Sequence, residues 1–446
     1  MTGIKDQAKI KCIKPELPGG FRDYGPADAR VKQWILDTAR RTFESFGFEP
    51  LETSSVQRTE VLTGGEADSD KIIYRIRPTQ RGEIVGEESR DENALRFDLT
   101  VPLARFIAAN PDIPRPFKRY EIGRVWRGER QQAGRWREFT QADIDIVGSS
   151  ASEADAEIIA LMDTTLANLG AKNFVVKIND RRLMNALPEF AGFAEDKLWD
   201  ALRIIDKKDK IGEQGMAEEL QEEFGKNAAE KIAGFVRGEA DMRDNDDDLR
   251  ALARDIEALG ISPRNYRIDY SLVRGLSYYT GAVFEAVLAD VPEIGSVFGG
   301  GRYDNLLMKF TGQNVPAVGA SLGVDRLLAA GEKLRWFADA GVPAGVLILS
   351  IDDGLKREYA DMARELRGRG IAAAVYLGDE RQFQAQLAYA VKKEIPYVVI
   401  YGQNEKVKGM VAIKNMRARA QEEIPHEKMA EYLERAMKIP RLCRCG

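Results

Sequence analysis

Apolar residues in ADARVKQWILDTARRTFESFG recur at helical spacing: Val31, Ile35, Ala39 and Phe43 share a face, and Gly47 supplies a stop. The pattern predicts an amphipathic helix near the start of the chain. KIIYRIRP alternates with period two and predicts a strand, while ALRFDLTVPLARFIAANP predicts a short strand running into a helix that Pro111 ends. PFKRYEIGRVWRGER and RWREFTQADIDIVG are strand-like runs separated by the polar QQAG, the pattern of a long antiparallel hairpin with a charged tip. From Arg181 to Asn265 the chain turns to charged helical segments. Strand-like runs resume at YRIDYSLVRG, GAVFEAVLA and GSVFGGGRYDNLL, and PAVGASLGVDRLLAAGEKL reads as a strand or turn followed by a helix. Beyond Pro343, VLILSI, AAAVYL and PYVVIYG are short apolar runs between helical stretches, as in a small α/β domain with both sheet faces covered. The expected organisation is a β-rich domain over residues 1–180 and 266–335, a helical insertion over 181–265, and a separate α/β domain over 343–446.

The 446 residues, 44% of them hydrophobic, suit two or three domains with at least one large core. The three Cys lie near the ends, Cys12 at one and Cys443 and Cys445 at the other, a distribution that suits a reducing cytoplasm without disulfides. Cys443 and Cys445 could hold a soft metal, but no second ligand pair accompanies them. The N-terminal segment lacks the apolar core of a signal peptide, and no apolar run is long enough to span a membrane, so a soluble cytoplasmic protein is expected. Residues 341–446 hold 18 Lys and Arg against 14 Asp and Glu, whereas the whole chain carries −5. A modestly basic C-terminal unit could face a polyanion; random sampling of surface charge would give the same imbalance.

The single histidine, His426, excludes more. One imidazole leaves no room for Ser–His–Asp triads, two- or three-His metal sites and most His-based acid–base schemes. Chemistry must run on arginines, carboxylates, amides and bound ions. His426 itself is expected on the terminal helix of the C-terminal unit as a surface or capping residue.

The segment from Arg124 to Gly148 is richest in such groups. Alternate hairpin residues share a face, so Arg127 and Glu129 point one way, and Arg135, Arg137 and Phe139 share a face on the return strand. A guanidinium suits a phosphate, and a nearby carboxylate suits an exocyclic amine; cross-strand ion pairing on an exposed sheet would use the same charges. Gln141, Asp143 and Asp145 continue the alternation on a strand otherwise apolar at Ile144, Ile146 and Val147. Buried carboxylates are costly unless paired, so this face suggests a pocket for a polar, cationic ligand. In RGLSYYTG, residues 274–281, Arg beside Gly and two Tyr permit close approach of a ligand, and equally a strand bulged at Gly275. The glycines of GGGRYD, residues 299–304, suggest backbone approach by another molecule. GASLGVDR leads into a helix with Arg326 near its start, and neither glycine-rich segment has P-loop or GxGxxG spacing.

Together these segments resemble the class II aminoacyl-tRNA synthetases, and specifically the histidyl-tRNA synthetase family. PGGFRDYGP and the following helix resemble the class's first motif, a dimer-interface element; RVWRGERQQAGRWREF resembles the second and GASLGVDRLL the third. RGLSYYTG and GGGRYD resemble the histidine-specific signatures, and RFDLTVPLARF and VKINDRRL resemble the archaeal and eukaryotic style of the family. The resemblance implies an α+β class II catalytic domain, an antiparallel sheet flanked by helices, with a helical insertion and a C-terminal α/β anticodon-binding domain. It implies a homodimer that uses ATP and Mg²⁺ to attach histidine to tRNA(His). By the same resemblance, Arg127 holds the amino acid's carboxylate and the ATP α-phosphate, Glu129 meets the adenine amine, and Phe139 stacks on the ring. Arg326 caps the nucleotide's other face, and Arg274 brings a second positive charge to the reacting centre. Asp98, Thr100 and Gln141 bind the α-amino group, Asp145 and Tyr279 grip the imidazole with Tyr278 beside them, and Gln132 lies near the tRNA acceptor end. Ser277 departs from the family's usual Asp, which puts the orientation of its loop in question. The implied alternative is a synthetase-like regulatory subunit that senses histidine and binds ATP phosphoribosyltransferase; such subunits typically lose the C-terminal unit and erode the arginines retained here.

Overall fold

The protein's structure, a computed structural model, describes residues 13–64, 73–76, 92–128, 136–239, 247–273, 279–336 and 345–437. The chain divides into two units, Met1–Phe337 and Ala338–Gly446. The first is built on an eight-stranded sheet of β1 (Glu49–Pro50), β2 (Phe117–Trp126), β3 (Glu138–Val147), β4 (Phe174–Asp180), β5 (Tyr266–Ile268), β6 (Ala282–Leu288), β7 (Ser296–Arg302) and β8 (Ala317–Gly323). Their spatial order is β1-β2-β3-β8-β7-β6-β4-β5. All neighbours are antiparallel except the outer pairs β1/β2 and β4/β5.

The alternation expected in β2 and β3 is realised as a hairpin in which Arg119 faces Asp145, Glu121 faces Asp143 and Gly123 faces Gln141. Because successive strand residues point to opposite faces, this register sorts the sheet. One face carries Ile144, Ile146, Val318, Leu322, Phe284 and Ile178, all buried. It packs in one core with α1 (Pro26–Ser45) and α2 (Ser152–Asn168). In α1 the predicted stripe is present at Ile35, Ala39 and Phe43, with Thr38 and Thr42 beside it, and Gly47 ends the helix region with φ 76°. The opposite face carries the polar residues.

Between β4 and β5 runs a series of helices, the longest being α3 (Lys208–Val236), bent where Gly212 and Gly225 leave helical geometry at φ 76° and 75°. Their buried residues, among them Leu202, Leu220 and Ile232, belong to the same core as the sheet.

The second unit has a five-stranded sheet of β9 (Val346–Ile348), β10 (Ala373–Val375), β11 (Tyr397–Ile400), β12 (Met410–Asn415) and β13 (Ala420–Pro425), ordered β10-β9-β11-β12-β13. Two cores flank it: Val346, Ile348 and Val399 face one side, Leu347, Leu349 and Val398 the other. The antiparallel pair β12/β13 escapes the sequence pattern because β13, AQEEIP, is exposed almost throughout and lacks apolar alternation. His426 lies not on the helix Met429–Ala436 but in the turn before it, half-buried at the surface, with its ring stacked on Tyr401 at 5.2 Å and its Nε2 shielded.

Candidate active site

Cross-strand pairing extends the polar face of the first unit in two rows. One runs Glu121, Asp143, Ser321, Gly299, Glu285, Lys177; the other runs Arg119, Asp145, Gly319, Gly301, Val283, Asn179. At its centre is a buried ionic network. Arg119 has no exposed surface; its Nη2 lies 2.8 Å from Asp145 Oδ2 and donates to Leu99 O at 3.1 Å. Glu121 Oε1 accepts from Arg96 Nη1 at 2.7 Å and from Thr53 N and Oγ1 at 3.0 and 2.9 Å. Asp145 Oδ1 also accepts from the Tyr303 hydroxyl. Gln141 Nε2 donates to Ser321 Oγ at 2.7 Å and approaches Asp143 Oδ1 at 3.4 Å.

Burial raises three of the carboxyls here. It pushes Asp143 up to about 8 and Asp98 up to about 6, and raises Asp145 despite the opposing charge of Arg119. Desolvation works against Arg119, yet Asp145 and Glu121 hold its guanidinium above its ordinary value. Two buried arginines thus lie among four buried carboxyls, Asp98, Glu121, Asp143 and Asp145, and a cationic group beside them would favour their ionised forms.

Asp98 Oδ1 accepts from Val101 N at 3.1 Å, at the start of the helix Thr100–Ala109, and the bond from Arg119 to the carbonyl of Leu99, between them, brings Asp98 and Thr100 next to the network. Arg127 donates from Nε to Phe97 O at 3.0 Å and lies 5.0 Å over the Phe139 ring. At the other end, Asp325 accepts from Arg22 at 2.8 Å, from the Tyr24 hydroxyl and from Thr140 N at 3.1 Å, fixing the helix Val324–Leu334 that carries Arg326. Arg326 Nη1 donates to Ser296 O.

The glycines have a nearer cause than ligand approach. A Cβ on Gly300 would fall 1.9 Å from Gly319 O, and one on Gly301 would fall 2.6 Å from Ala282 O and 2.9 Å from Tyr279 Cδ1. Neighbouring backbone and Tyr279 already exclude a side chain there. Gly319 borders the polar pocket itself, since its Cβ would meet Asp145 Oδ1 at 1.9 Å.

A polar, carboxyl-lined sheet face with Arg127 and Arg326 at its ends invites comparison with known sites. Residues 20–327 match the family model described as histidyl-tRNA synthetase, and residues 344–436 match the anticodon binding domain model. The chain belongs to the histidyl-tRNA synthetase family. It is 40% identical to the histidine–tRNA ligase of Wolinella succinogenes, covering 93% of this chain and 96% of that one, and 39% identical to that of Paracoccus denitrificans, covering 92% of each. The crystal structure of histidyl-tRNA synthetase from Nostoc sp. superposes with a TM-score of 0.82 at 30% identity, covering 96% of this chain and 100% of that one. These relatives are bacterial, and they add nothing to the archaeal and eukaryotic style read from RFDLTVPLARF and VKINDRRL.

Of the synthetase residues expected from sequence, Phe139, Gln141 and Asp145 share one face of β3, Arg127 lies over Phe139, Tyr279 packs at Gly301, Asp98 and Thr100 flank Leu99, whose carbonyl accepts from Arg119, and Arg326 lies at the start of its helix, bonded to Ser296 O. Glu129, Gln132, Arg274, Ser277 and Tyr278, with Cys12, Cys443 and Cys445, lie outside the described residues. Sequence reasoning missed Arg96, Arg119 and Tyr303. Arg119-x-Glu121 was visible as a charged pair in a strand, but its role depends on the register with Asp143 and Asp145. Arg302 of GGGRYD faces away from the site. Its Nη2 pairs with Asp155 at 2.7 Å and its Nη1 donates to Ser149 O at 2.8 Å, so it secures the start of α2.

Proposed function

We propose that the protein is a histidine–tRNA ligase in which the polar face of the sheet binds histidine and the arginines flanking it bind ATP. The carboxylate oxygen of histidine attacks the α-phosphorus of ATP; the bond to the β-phosphate oxygen breaks, and histidyl-adenylate and pyrophosphate form. The terminal tRNA hydroxyl then attacks the activated carbonyl, AMP leaves, and an adenylate phosphate oxygen takes the hydroxyl proton.

Two anions must meet in the first step, and charge accumulates as they react. Positioning and electrostatics therefore carry it. Arg127, held by Phe97 O and Phe139, is aimed at the carboxylate and α-phosphate, with Arg274 supplying a second charge and Arg326 the far phosphates. Glu129 meets the adenine amine and Gln132 the acceptor end. Asp98, Thr100 and Gln141 receive the α-ammonium; Asp145, fixed by Arg119 and Tyr303, meets the imidazole with Tyr279 opposite and Tyr278 alongside. Such paired polar recognition strongly rejects side chains lacking ring nitrogens.

Mg²⁺ enters this reading with the nucleotide, as a hard cation that neutralises phosphate oxygens. Among the described residues no group of three His, Cys, Asp or Glu is placed to hold a metal ion. The unit over residues 343–446 reads the tRNA(His) anticodon, and the PGGFRDYGP segment with α1 forms a homodimer interface in a cytoplasmic enzyme. No helix among the described residues is long and apolar enough to cross a membrane.

The observation that supports the site assignment best is the buried Gln141–Asp143–Asp145 row with its Arg119 partner. The test is histidine-dependent exchange of pyrophosphate into ATP. Specific exchange with histidine, abolished by Arg274→Ala, is expected; no exchange, or equal exchange with other amino acids, overturns the proposal in favour of a sensor subunit.

A further inference from the structure

The polar face does not end at the histidine pocket. Its two rows continue across β7 and β6 to Lys177 and Asn179 on the next-to-last strand, both buried and neither used in the proposed chemistry. A buried lysine needs partners, and Lys177 has two: Nζ lies 3.3 Å from Asp209 Oδ2, in the first turn of α3, and 3.4 Å from Asp269 Oδ2. Asn179, with no exposed surface, donates from Nδ2 to Tyr270 O and Leu272 O, each at 3.2 Å.

Apart from the one to Asp209, those contacts converge on one stretch of chain, residues 269–272. The same stretch is tied further by Asp269 N to Ile178 O at 2.9 Å, Leu272 N to Asp269 O at 2.9 Å, and Ser271 N to Asp269 Oδ1 at 3.1 Å. Ser271, the Lys177 cation and the neighbouring Arg267 together hold the Asp269 carboxyl below its ordinary value against the effect of burial. Lys177, Asp209, Ser271 and Glu285 line one small polar cleft at this point. Val273 follows, and the next residue is Arg274. The far end of RGLSYYTG is clamped as well: Thr280 N donates to Arg302 O at 2.8 Å, Thr280 Oγ1 to Asp304 Oδ2 at 2.7 Å, and Arg181 N to Gly281 O at 2.9 Å.

We infer that Lys177 and Asn179 are positioning residues for histidine activation: they seat the stem from which Arg274 departs, and Lys177 ties that stem to the first turn of α3 in the insertion. The inference rests on the proposed role of Arg274. A guanidinium that neutralises developing charge must be held to a fraction of an ångström, so loosening its stem costs turnover and leaves ground-state binding of histidine and ATP intact.

The test is steady-state pyrophosphate exchange with Lys177→Met, Lys177→Arg and Asp269→Asn in the full chain. Lys177→Met is expected to lower kcat at least tenfold with KM for histidine and ATP within twofold of wild type. Lys177→Arg, which keeps the charge between the two aspartates, should recover most of the loss. Asp269→Asn, which keeps the Ser271 acceptor and removes the ion pair, should fall between them. An unchanged kcat in Lys177→Met or Asp269→Asn, a KM rise matching the kcat loss, or failure of arginine to restore turnover overturns the inference. A wild-type chain without histidine-dependent exchange overturns the proposed function and this role with it; a wild type that exchanges normally beside an equally active Lys177→Met overturns this role alone.

Discussion

Replacing Arg119 with methionine keeps most of the side-chain volume and removes the charge at the centre of the network. Arg119 is fully buried, 2.8 Å from Asp145 and 3.7 Å from Glu121. The two carboxylates are not affected equally. Glu121 keeps Arg96 at 2.7 Å and the Thr53 donors, whereas Asp145 keeps only the Tyr303 hydroxyl among the contacts described. Stranding a buried charge by removing its partner costs about 3–5 kcal/mol. The sign with pH follows from linkage. Asp145 in the folded protein already titrates above 3.8, so the folded state holds its proton more tightly than the unfolded chain, and stability falls as pH rises through the window above that value. Without Arg119 the folded value rises further. The destabilisation of Arg119→Met relative to wild type is therefore smallest in acid, where Asp145 is neutral in both, and grows towards its full size at mildly alkaline pH. Urea unfolding of the first unit at several pH values measures it, and a double-mutant cycle with Asp145→Asn isolates the pair, with a coupling of at least about 1.5 kcal/mol expected between residues in direct contact. A cost below about 1 kcal/mol, a pH-independent difference or an uncoupled cycle would refute the role given to Arg119.

Asp143, pushed up to about 8, holds its proton in the folded state far above the ordinary 3.8; wild-type stability should fall between those values as pH rises, and Asp143→Asn should flatten that slope in thermal melts. Gly319→Ala forces a Cβ to within 1.9 Å of Asp145 Oδ1 and 2.6 Å of Ile144 O, so it should cost about 1–3 kcal/mol and raise KM for histidine in the exchange assay; normal KM would show that Asp145 does not border the binding site. Arg302→Met breaks a buried pair with Asp155 on the far face, so it should cost about 3–5 kcal/mol in denaturant unfolding while KM for histidine stays at the wild-type value.

The alternation in FKRYEIGRVW and EFTQADIDIV determined the hairpin and which residues share a face, since side-chain direction along a strand is a local property of period two. The spacing of Ile35, Ala39 and Phe43 determined α1 in the same way, and the motifs were sufficient to indicate the family. A face, however, is not yet an environment. Whether Asp145 is a free acid or half of an ion pair depends on Arg119 lying opposite it in the register, and Tyr303, 158 positions away, reaches it only because β8 and β7 follow β3 in the sheet. Arg302 and Tyr303 are adjacent in the chain, yet the first binds Asp155 behind the sheet and the second binds Asp145 in front of it. Lys177 and Asn179 carry no motif and acquire meaning only through contacts with residues 269–272. Strand order is set by burial of the whole apolar face, a property of the assembled core and not of any segment, so the partners of the buried charges were decided by the tertiary structure alone.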